Sequence, residues 1–469
     1  EIVDQLEDKL KLIELILNMA YEAKVNYQDV FSQVRFWDTL IYNFLRKDNI
    51  VIPPKEDHHK DEKYPGAYVK DPLVGMHKWI VSFDINSLYP HLIMQYNISP
   101  EKIIGMKEEG ISVDKMLNKT TPLAYLKEEG ATITPNGALF KTDSEGFLPK
   151  LLGKMYNERV TYKKLMLEAK KKYNEKQTPE LKNEIARCHN IQWAKKIALN
   201  SAYGAIGNQY FRYFDVRQAT AITLAGQFVI RFIEQNVNAY MNKILKSDEK
   251  IDYIVASDTD SIYLSLDKLV EQVCKDKTKE LDEEGITFDE PKLKIMGIEA
   301  VKSSTPQVCR GKIKEAITII MNKEQSDLHK LVADFKKEFF SLPAEEISFP
   351  RSCNNLKKYR SSSSVFIKGT PIHVKGALIY NQQLKELGLQ NKYPLIQEGD
   401  KIKFIKLLEA NPFKFDVISY VTKLPKEFKL KNYVDYELQF QKTFLDPITF
   451  ILQPIGWTPE PTASLESFF

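Results

Sequence analysis

The chain has 469 residues, 43% of them hydrophobic and 28% charged, with 67 Lys and Arg against 63 Asp and Glu. This length exceeds what one hydrophobic core organises, so about three packed units are expected, and the composition excludes disordered, collagenous and disulfide-scaffold proteins. The formal net charge of +4 does not by itself indicate a nucleic-acid partner.

Helices are predicted before and after one short strand in the first half of the chain. Apolar residues recur at helical spacing over 6–20, and a second helix is predicted over 36–45. The run KWIVSF at 78–83 predicts a buried strand. Residues 151–175 and 181–245 predict two long helices, separated by a polar break at 177–179.

Two strands, over 251–256 and 262–266, are predicted next, followed by an acidic stretch, a helical region over 312–340 and a proline-punctuated end. No apolar run reaches the ~18–20 residues that cross a bilayer. The four cysteines form no CxxC pair, which favours reduced thiols in a cytosolic protein.

The sequence SDTDS at 257–261 separates those two strands. In an extended chain, Asp258 and Asp260 project to the same side. Two adjacent carboxylates repel each other, and a divalent cation relieves that repulsion. An ordinary hairpin turn is an equal alternative, because Asp is common in turns.

A further carboxylate, Asp84, ends the predicted strand at 78–83 and precedes INSLYP. The alternative interpretation is that Asp84 is an ordinary residue at the end of a strand. However, the segment 87–90 turns into a helix and brings Tyr89 close to the carboxylate. If the fold joins Asp84 to Asp260, two cations between them suit in-line displacement at phosphorus.

The segment KKIALNSAYG at 195–204 carries a stripe of unusual composition. Lys196, Asn200, Tyr203 and Gly207 follow helical spacing along one face. Helix-interior glycines cost roughly 1 kcal/mol each, so Gly204 and Gly207 indicate close approach of a ligand or of another backbone. A packing face is the alternative.

The segment NERVTYKK at 157–164 places Arg159 and Lys163 one helical turn apart. Alone, this pair is typical of a solvated basic face; with Lys196 it supplies three cations for a triphosphate. Six of the residues 159–172 are Lys or Arg and one is Glu, so the small net charge of the whole chain conceals a concentrated basic segment.

These motifs, FDINSLYP (83–90), KKIALNSAYG and SDTDS, resemble motifs A, B and C of family B DNA polymerases, in the family's order. Further segments, such as FRYFDVRQATAIT (211–223) and KTFLDP (442–447), resemble the polymerases of T4-like bacteriophages. The resemblance covers most of the chain. It implies an α+β right-hand fold with an antiparallel palm sheet, helical fingers and a mostly helical thumb.

The resemblance also implies domain bounds. They are an N-terminal helical segment at 1–60, palm at 61–150 and 206–300, fingers at 151–205, thumb at 301–455 and a clamp-binding tail at 456–469.

By the same resemblance, Asp84 and Asp260 are the main ligands of two Mg²⁺ ions, with Mn²⁺ as an alternative ion. Asp258 lies beside them and the backbone carbonyl of Ile85 is a further ligand.

The remaining site residues implied by the family bind the nucleotide, the nascent base pair and the clamp. Ile85 and Ser87 bind the nucleotide, and Leu88 and Tyr89 line the sugar pocket, with Tyr89 excluding a 2′-hydroxyl. Arg159, Lys163 and Lys196 bind the triphosphate, and Asn200 binds the nucleotide from the same face. Tyr203 and Gly204 contact the nascent base pair. Lys196 also assists the leaving pyrophosphate. The tail residues Leu465, Phe468 and Phe469 bind a sliding clamp.

The expected function is DNA-templated DNA synthesis on a primer 3′-hydroxyl in the cytoplasm of an infected bacterium. The expected partners are primer–template DNA, dNTPs and the clamp; we expect no membrane association, and a monomer within a replisome. Residues 1–83 contain no Asp-x-Glu motif, so 3′–5′ exonuclease activity is not expected. A palm segment of the family is shortened after SDTDS, which leaves a non-catalytic module that binds primer–template and clamp as the alternative.

Overall fold

The computed structural model of the chain describes residues 2–10, 12–58, 63–107, 110–247, 250–274, 295, 298–361 and 364–461. It divides into two compact units, Glu1–Glu280 and Leu281–Phe469. Both units contain helices and antiparallel sheet, which confirms the predicted α+β class. The bounds of palm, fingers and thumb stay predictions.

Three long helices dominate the first unit. Its helices are α1 (Ile2–Leu10), α2 (Leu12–Ala23), α3 (Gln33–Arg46), α4 (Leu88–Gln95), α5 (Val113–Leu117), α6 (Leu126–Glu129), α7 (Phe147–Glu175), α8 (Pro179–Ile206), α9 (Val216–Ile244) and α10 (Asp267–Cys274), with a 3₁₀ helix at Tyr27–Phe31. The helices predicted over 36–45 and 151–175 are therefore confirmed, whereas the region predicted as one helix over 6–20 contains parts of two helices, α1 and α2. Their apolar faces meet in a core around Trp37, Leu152 and Ala202, all nearly inaccessible to solvent.

Two antiparallel sheets complete the first unit. Its strands are β1 (Val69–Lys70), β2 (Ile80–Asp84), β3 (Ile103–Met106), β4 (Ala131–Ile133), β5 (Ala138–Lys141), β6 (Ile254–Asp258) and β7 (Ser261–Ser265). One sheet has the order β1-β6-β7-β2 and the other the order β3-β5-β4. The strands predicted at 78–83, 251–256 and 262–266 are confirmed as β2, β6 and β7.

The prediction that the strand at 78–83 is buried is wrong. Ile80 is 37% exposed and Phe83 is 53% exposed. Among the described strands, β2 lies at the edge of its sheet and pairs with β7 alone. An apolar run indicates a strand, but it does not tell whether neighbouring elements cover it.

The prediction of one helix over 181–245 is also wrong, because α8 ends at Ile206 and α9 begins at Val216. The Asp215 side chain accepts a hydrogen bond from the backbone N–H of Arg217 at 2.9 Å and so caps α9. Between the two helices, Arg212 pairs with Asp38 of α3 at 2.7 Å. This segment therefore has its own tertiary contacts and does not continue the helix.

The second unit packs helices on a three-stranded antiparallel sheet. Its elements are α11 (Gln307–Asn322), α12 (Gln325–Ser341), α13 (Ala344–Ile347), β8 (Phe349–Ser352), α14 (Leu356–Tyr359), α15 (Ile372–Glu386), β9 (Lys401–Lys406), β10 (Val417–Tyr420), α16 (Tyr436–Phe440) and α17 (Asp446–Leu452), with short turns of 3₁₀ or π helix at Lys426–Phe428, Lys431–Tyr433, Gln441–Leu445 and Gln453–Ile455. The helical region predicted over 312–340 is two helices that meet at Lys323 and Glu324. Over the part of the chain that the structure describes, no helix is both long enough and apolar enough to cross a membrane.

Candidate active site

Strand pairing brings the two predicted carboxylate motifs together. Asp84 is the last residue of β2 and lies opposite Ser261, the first residue of β7. One residue further along, the backbone N–H of Ile85 donates to the carbonyl of Asp260 at 2.7 Å. The hydrogen-bond ladder therefore holds Asp84 and Asp260 at one end of the sheet.

The SDTDS sequence forms a tight hairpin rather than an extended strand, so the premise that Asp258 and Asp260 project together from an extended chain is wrong. Asp258 pairs with Ser261 across a two-residue turn of Thr259 and Asp260. Thr259 has a φ of 58°, which is rare for a β-branched residue. Its hydroxyl donates to Oδ1 of Asp258 at 2.9 Å, and its N–H donates to the carbonyl of Tyr68 at 3.0 Å.

Electrostatic repulsion acts among the three carboxylates. Burial raises the pKa of Asp260, and the charges of Asp84 and Asp258 raise it further, while a backbone hydrogen bond opposes the change. Within the described residues, no three His, Cys, Asp or Glu side chains are arranged to hold a metal ion as they stand. The two-metal site stays a prediction.

A cavity of about 390 Å³ opens beside these carboxylates. Residues from all four predicted motifs line it, and they are Asp84, Asn86, Ser87, Leu88, Tyr89, Pro90, Arg159, Lys196, Asn200, Thr259 and Asp260. The structure therefore brings together residues that are distant in the sequence, and all of them except Asn86, Pro90 and Thr259 are predicted site residues.

The cationic side of the cavity comes from α7 and α8. Arg159 donates from Nη1 to the Ser87 hydroxyl at 3.3 Å, and its Nε is buried without a hydrogen-bond partner in the structure. Lys196 places its ammonium 4.9 Å from the centre of the Trp193 ring. Lys163, predicted to act with them, is exposed on α7 and is not among the described residues that line the cavity.

Two adjacent lysines of α8 have different environments. Lys196 lines the cavity, whereas the Lys195 side chain is only 5% exposed. Lys195 forms ion pairs with Glu158 of α7, at 2.6 Å, and with Glu22 of α2. Burial alone would lower the pKa of Lys195, but the hydrogen bonds and charges of the two carboxylates raise it overall.

The aromatic wall of the cavity is a group of packed tyrosines. Ser87, in the left-handed region with a φ of 52°, precedes the first turn of α4, which carries Tyr89. The ring of Tyr89 packs on that of Tyr203 with centroids 4.8 Å apart. Burial raises the pKa of Tyr89, and the charge of Asp260 adds to this effect. Tyr203 donates to the Tyr64 hydroxyl at 3.4 Å, and burial raises the pKa of Tyr203 as well.

The two glycines of motif B face other parts of the chain. A Cβ at Gly204 would collide with the Gln33 side chain, and a Cβ at Gly207 would collide with the Tyr64 hydroxyl. The prediction was close approach of a ligand or of another backbone, whereas the structure places the side chains of Gln33 and Tyr64 against these glycines. Tyr203 and Gly204 are not among the described residues that line the cavity, and their contact with a base pair stays a prediction.

Sequence reasoning missed Tyr64 and Gly226, both of which pack against the tyrosine wall. Gly226 carries a signal in the sequence, since it is the single glycine of a 29-residue helix. Tyr64 has no such signal. The predicted clamp residues Leu465, Phe468 and Phe469, and most of the acidic stretch after α10, lie outside the described residues.

Comparison with known proteins gives consistent matches. The sequence model described as DNA polymerase family B matches residues 28–291, more than half of the chain. The DNA-directed DNA polymerases of Enterobacteria phage T4 and Escherichia phage RB69 are each 29% identical, over 98% and 99% of this chain. DNA polymerase 1 of Aeropyrum pernix is 25% identical over 84% of the chain and 41% of its own length.

The chain spans 63% of the length of the two phage relatives. The alignment with the phage T4 protein runs over 577 positions, which is more than the length of the chain itself. That relative therefore has segments inside the matched region without a counterpart here.

Proposed function

We propose, since this chain belongs to DNA polymerase family B, that it is a DNA-templated DNA polymerase. It joins the 3′-hydroxyl of a primer to the α-phosphate of a dNTP and releases pyrophosphate. The observation that carries this proposal is the single cavity lined by Asp84, Asp260, Arg159, Lys196 and Tyr89. It combines the acidic, cationic and aromatic groups that nucleotidyl transfer requires.

The carboxylates fit divalent cations in their chemistry. Asp84, Asp258 and Asp260 offer the hard oxygen ligands that Mg²⁺ prefers. Burial, with added repulsion from Asp84 and Asp258, raises the pKa of Asp260, and a bound cation would offset that repulsion. With these carboxylates the backbone carbonyl of Ile85 would hold two Mg²⁺ ions, or Mn²⁺ in their place. Such ions supply an activated hydroxyl and charge stabilisation in displacement at phosphorus.

The cations of the fingers segment would bind the triphosphate. Arg159 and Lys196 line the same cavity as Asp84 and Asp260, and Asn200 is one helical turn from Lys196. Arginine binds phosphate through paired N–H donors, and lysine does so as a point charge. Lys196 would assist the leaving pyrophosphate, and exposed Lys163 would join once a nucleotide extends along α7.

The first turn of α4 would select the sugar. Ser87 and Leu88 would line the pocket, while the ring of Tyr89 would leave no room for a 2′-hydroxyl. Tyr203, which packs on Tyr89, and Gly204 would face the minor groove of the nascent base pair. Selection of the incoming nucleotide would then depend on the shape of the pocket more than on hydrogen bonds to the base. Such selection suits a site that accepts four different bases.

The implied partners follow from this activity. They are primer–template DNA, the four dNTPs and a sliding clamp bound through Leu465, Phe468 and Phe469. We infer that the chain acts as a monomer within a replisome, in the cytoplasm of a phage-infected bacterium.

Primer extension with Mg²⁺ and dNTPs, run beside a gel-shift assay on the same primer–template, tests the proposal. Asp260→Ala should abolish extension and retain DNA binding. The matched control is Asp267→Ala, at the other end of β7, where the carboxylate accepts a hydrogen bond from the N–H of Lys78 at 3.3 Å. This control should extend primers like the wild type.

The alternative is a module that binds primer–template and clamp without catalysis. It is favoured by the segments of the phage T4 relative that have no counterpart in this chain. Binding of primer–template by the wild type without any extension would establish this alternative and refute the polymerase.

A further inference from the structure

A glycine in the middle of α9 lies directly behind the ring of Tyr89. Gly226 is buried and is the single glycine of this helix. Glycine in a helix interior is about 0.5–1 kcal/mol less stable than alanine. Its presence in a long buried helix therefore indicates that a side chain does not fit there.

The space that a side chain would occupy is taken by the first turn of α4. A Cβ at Gly226 would lie 3.0 Å from Cε1 of Tyr89, and 3.7 Å from Cδ2 of Leu88 and Cδ1 of Leu92. The two leucine distances are ordinary van der Waals contacts. The Tyr89 distance is not, so the tyrosine ring is the group that an added methyl would displace, by a few tenths of an ångström.

The Tyr89 ring can move in few directions. The ring of Tyr203 lies against Tyr89, with centroids 4.8 Å apart, and buried Leu88 and Leu92 pack beside Ala225 of α9. The remaining direction is away from α9 and into the cavity that Tyr89 lines.

We propose that Gly226 is a specificity-determining residue, which sets how far the Tyr89 ring enters the sugar pocket. It acts through Tyr89 and does not itself touch the nucleotide. This inference rests on the proposed function, in which Tyr89 excludes the 2′-hydroxyl. A methyl group at position 226 moves the ring towards the sugar and narrows the pocket.

The test compares ribonucleotide with deoxyribonucleotide insertion by single-turnover primer extension. Gly226→Ala should lower the relative insertion of ribonucleotides by about tenfold, the low end of what one methylene contributes to selectivity, and should raise KM for dNTPs. The control is Gly311→Ala, in the interior of α11, where a Cβ meets open space. This control should leave both quantities unchanged.

Tyr89→Ala and the double variant Tyr89→Ala/Gly226→Ala complete the cycle. Tyr89→Ala should raise ribonucleotide insertion, and on that background Gly226→Ala should have no further effect. If Tyr89→Ala changes sugar selection while Gly226→Ala leaves it unchanged or raises ribonucleotide insertion, this inference alone is overturned. If Tyr89→Ala has no effect, the proposed role of Tyr89 fails and the inference fails with it.

Folding of the variants gives a second readout. Should Gly226→Ala alone not fold, the double variant restores folding, because it removes the ring that the methyl group strikes. A double variant that also does not fold overturns the inference.

Discussion

Replacing Lys195 by methionine should destabilise the first unit by about 2–3 kcal/mol. Methionine retains the apolar stem but removes the ammonium that lies between Glu22 and Glu158. Breaking a buried ion pair costs about 3–5 kcal/mol. Here the lysine is 5% exposed but the two carboxylates are 28% and 37% exposed, so water recovers part of that cost.

Calorimetry measures this effect, since it can resolve the transitions of two units. A loss of 2–3 kcal/mol should lower the melting temperature of the first unit by roughly 4–8 °C. Lys195→Arg should recover most of the loss, because it keeps the positive charge. The Lys195→Met variant should also bind dNTPs more weakly than the wild type. The reason is that the ion pair of Glu158 with Lys195 fixes α7 against α8, and these two residues directly precede Arg159 and Lys196.

The neighbouring residue gives the matched control. Lys196→Met should leave the melting temperature within about 1 °C of the wild type, since substitution of a side chain that is not buried changes stability little. The same variant should sharply reduce primer extension. If Lys195→Met melts like Lys196→Met, the ion pairs of Lys195 do not stabilise the unit and the reasoning is refuted.

Three further outcomes are expected. The pKa of Asp260 is raised in the folded chain, so ionisation of this carboxyl at pH 7 opposes folding. Asp260→Asn should therefore be more stable than the wild type at pH 7, by no more than about 1 kcal/mol after solvent screening. This advantage should disappear as the pH falls below the ordinary carboxyl pKa of 3.8, and calorimetry that shows a larger advantage at pH 3 would contradict it. Thr259→Gly should stabilise the first unit by about 0.5–1 kcal/mol, which is the cost of the left-handed conformation for threonine minus the extra freedom of glycine in the unfolded chain. Thr259→Ser should not stabilise it, because serine has the same backbone restriction. Equal melting temperatures for the two variants would refute the backbone strain at Thr259. Deleting residues 463–469 should abolish stimulation of synthesis by the clamp and spare distributive synthesis, and an equal loss of both would count against a docking tail.

Most of the residues that line the candidate site could be predicted from the sequence. Asp84, Asp260, Arg159, Lys196 and Tyr89 stand out because their residue types and spacing suit phosphate and metal chemistry, and the cavity brings all five together. Residue type and spacing marked them as candidates, and the resemblance to family B polymerases assigned their roles. Only the antiparallel pairing of β2 with β7 unites the two carboxylate motifs.

Properties that depend on distant neighbours were not predictable. Nothing in the pair of lysines at 195 and 196 tells which one is buried, since that depends on how α2 and α7 pack against α8. The exposure of β2 likewise depends on its edge position. The break between α8 and α9 falls in an aromatic-rich stretch whose only helix-ending signals are Gly207 and the capping Asp215.

The contact between Lys196 and Trp193 gives the chain its own optical reporter. The ammonium lies 4.9 Å from the centre of the indole ring, which is 40% exposed and stacks on His189. Indole emission responds to a nearby charge, and an anion that draws the ammonium away from the ring changes that charge. Binding of the proposed dNTP substrate should therefore change the fluorescence of Trp193 without any attached dye, and Trp193→Phe should remove that change.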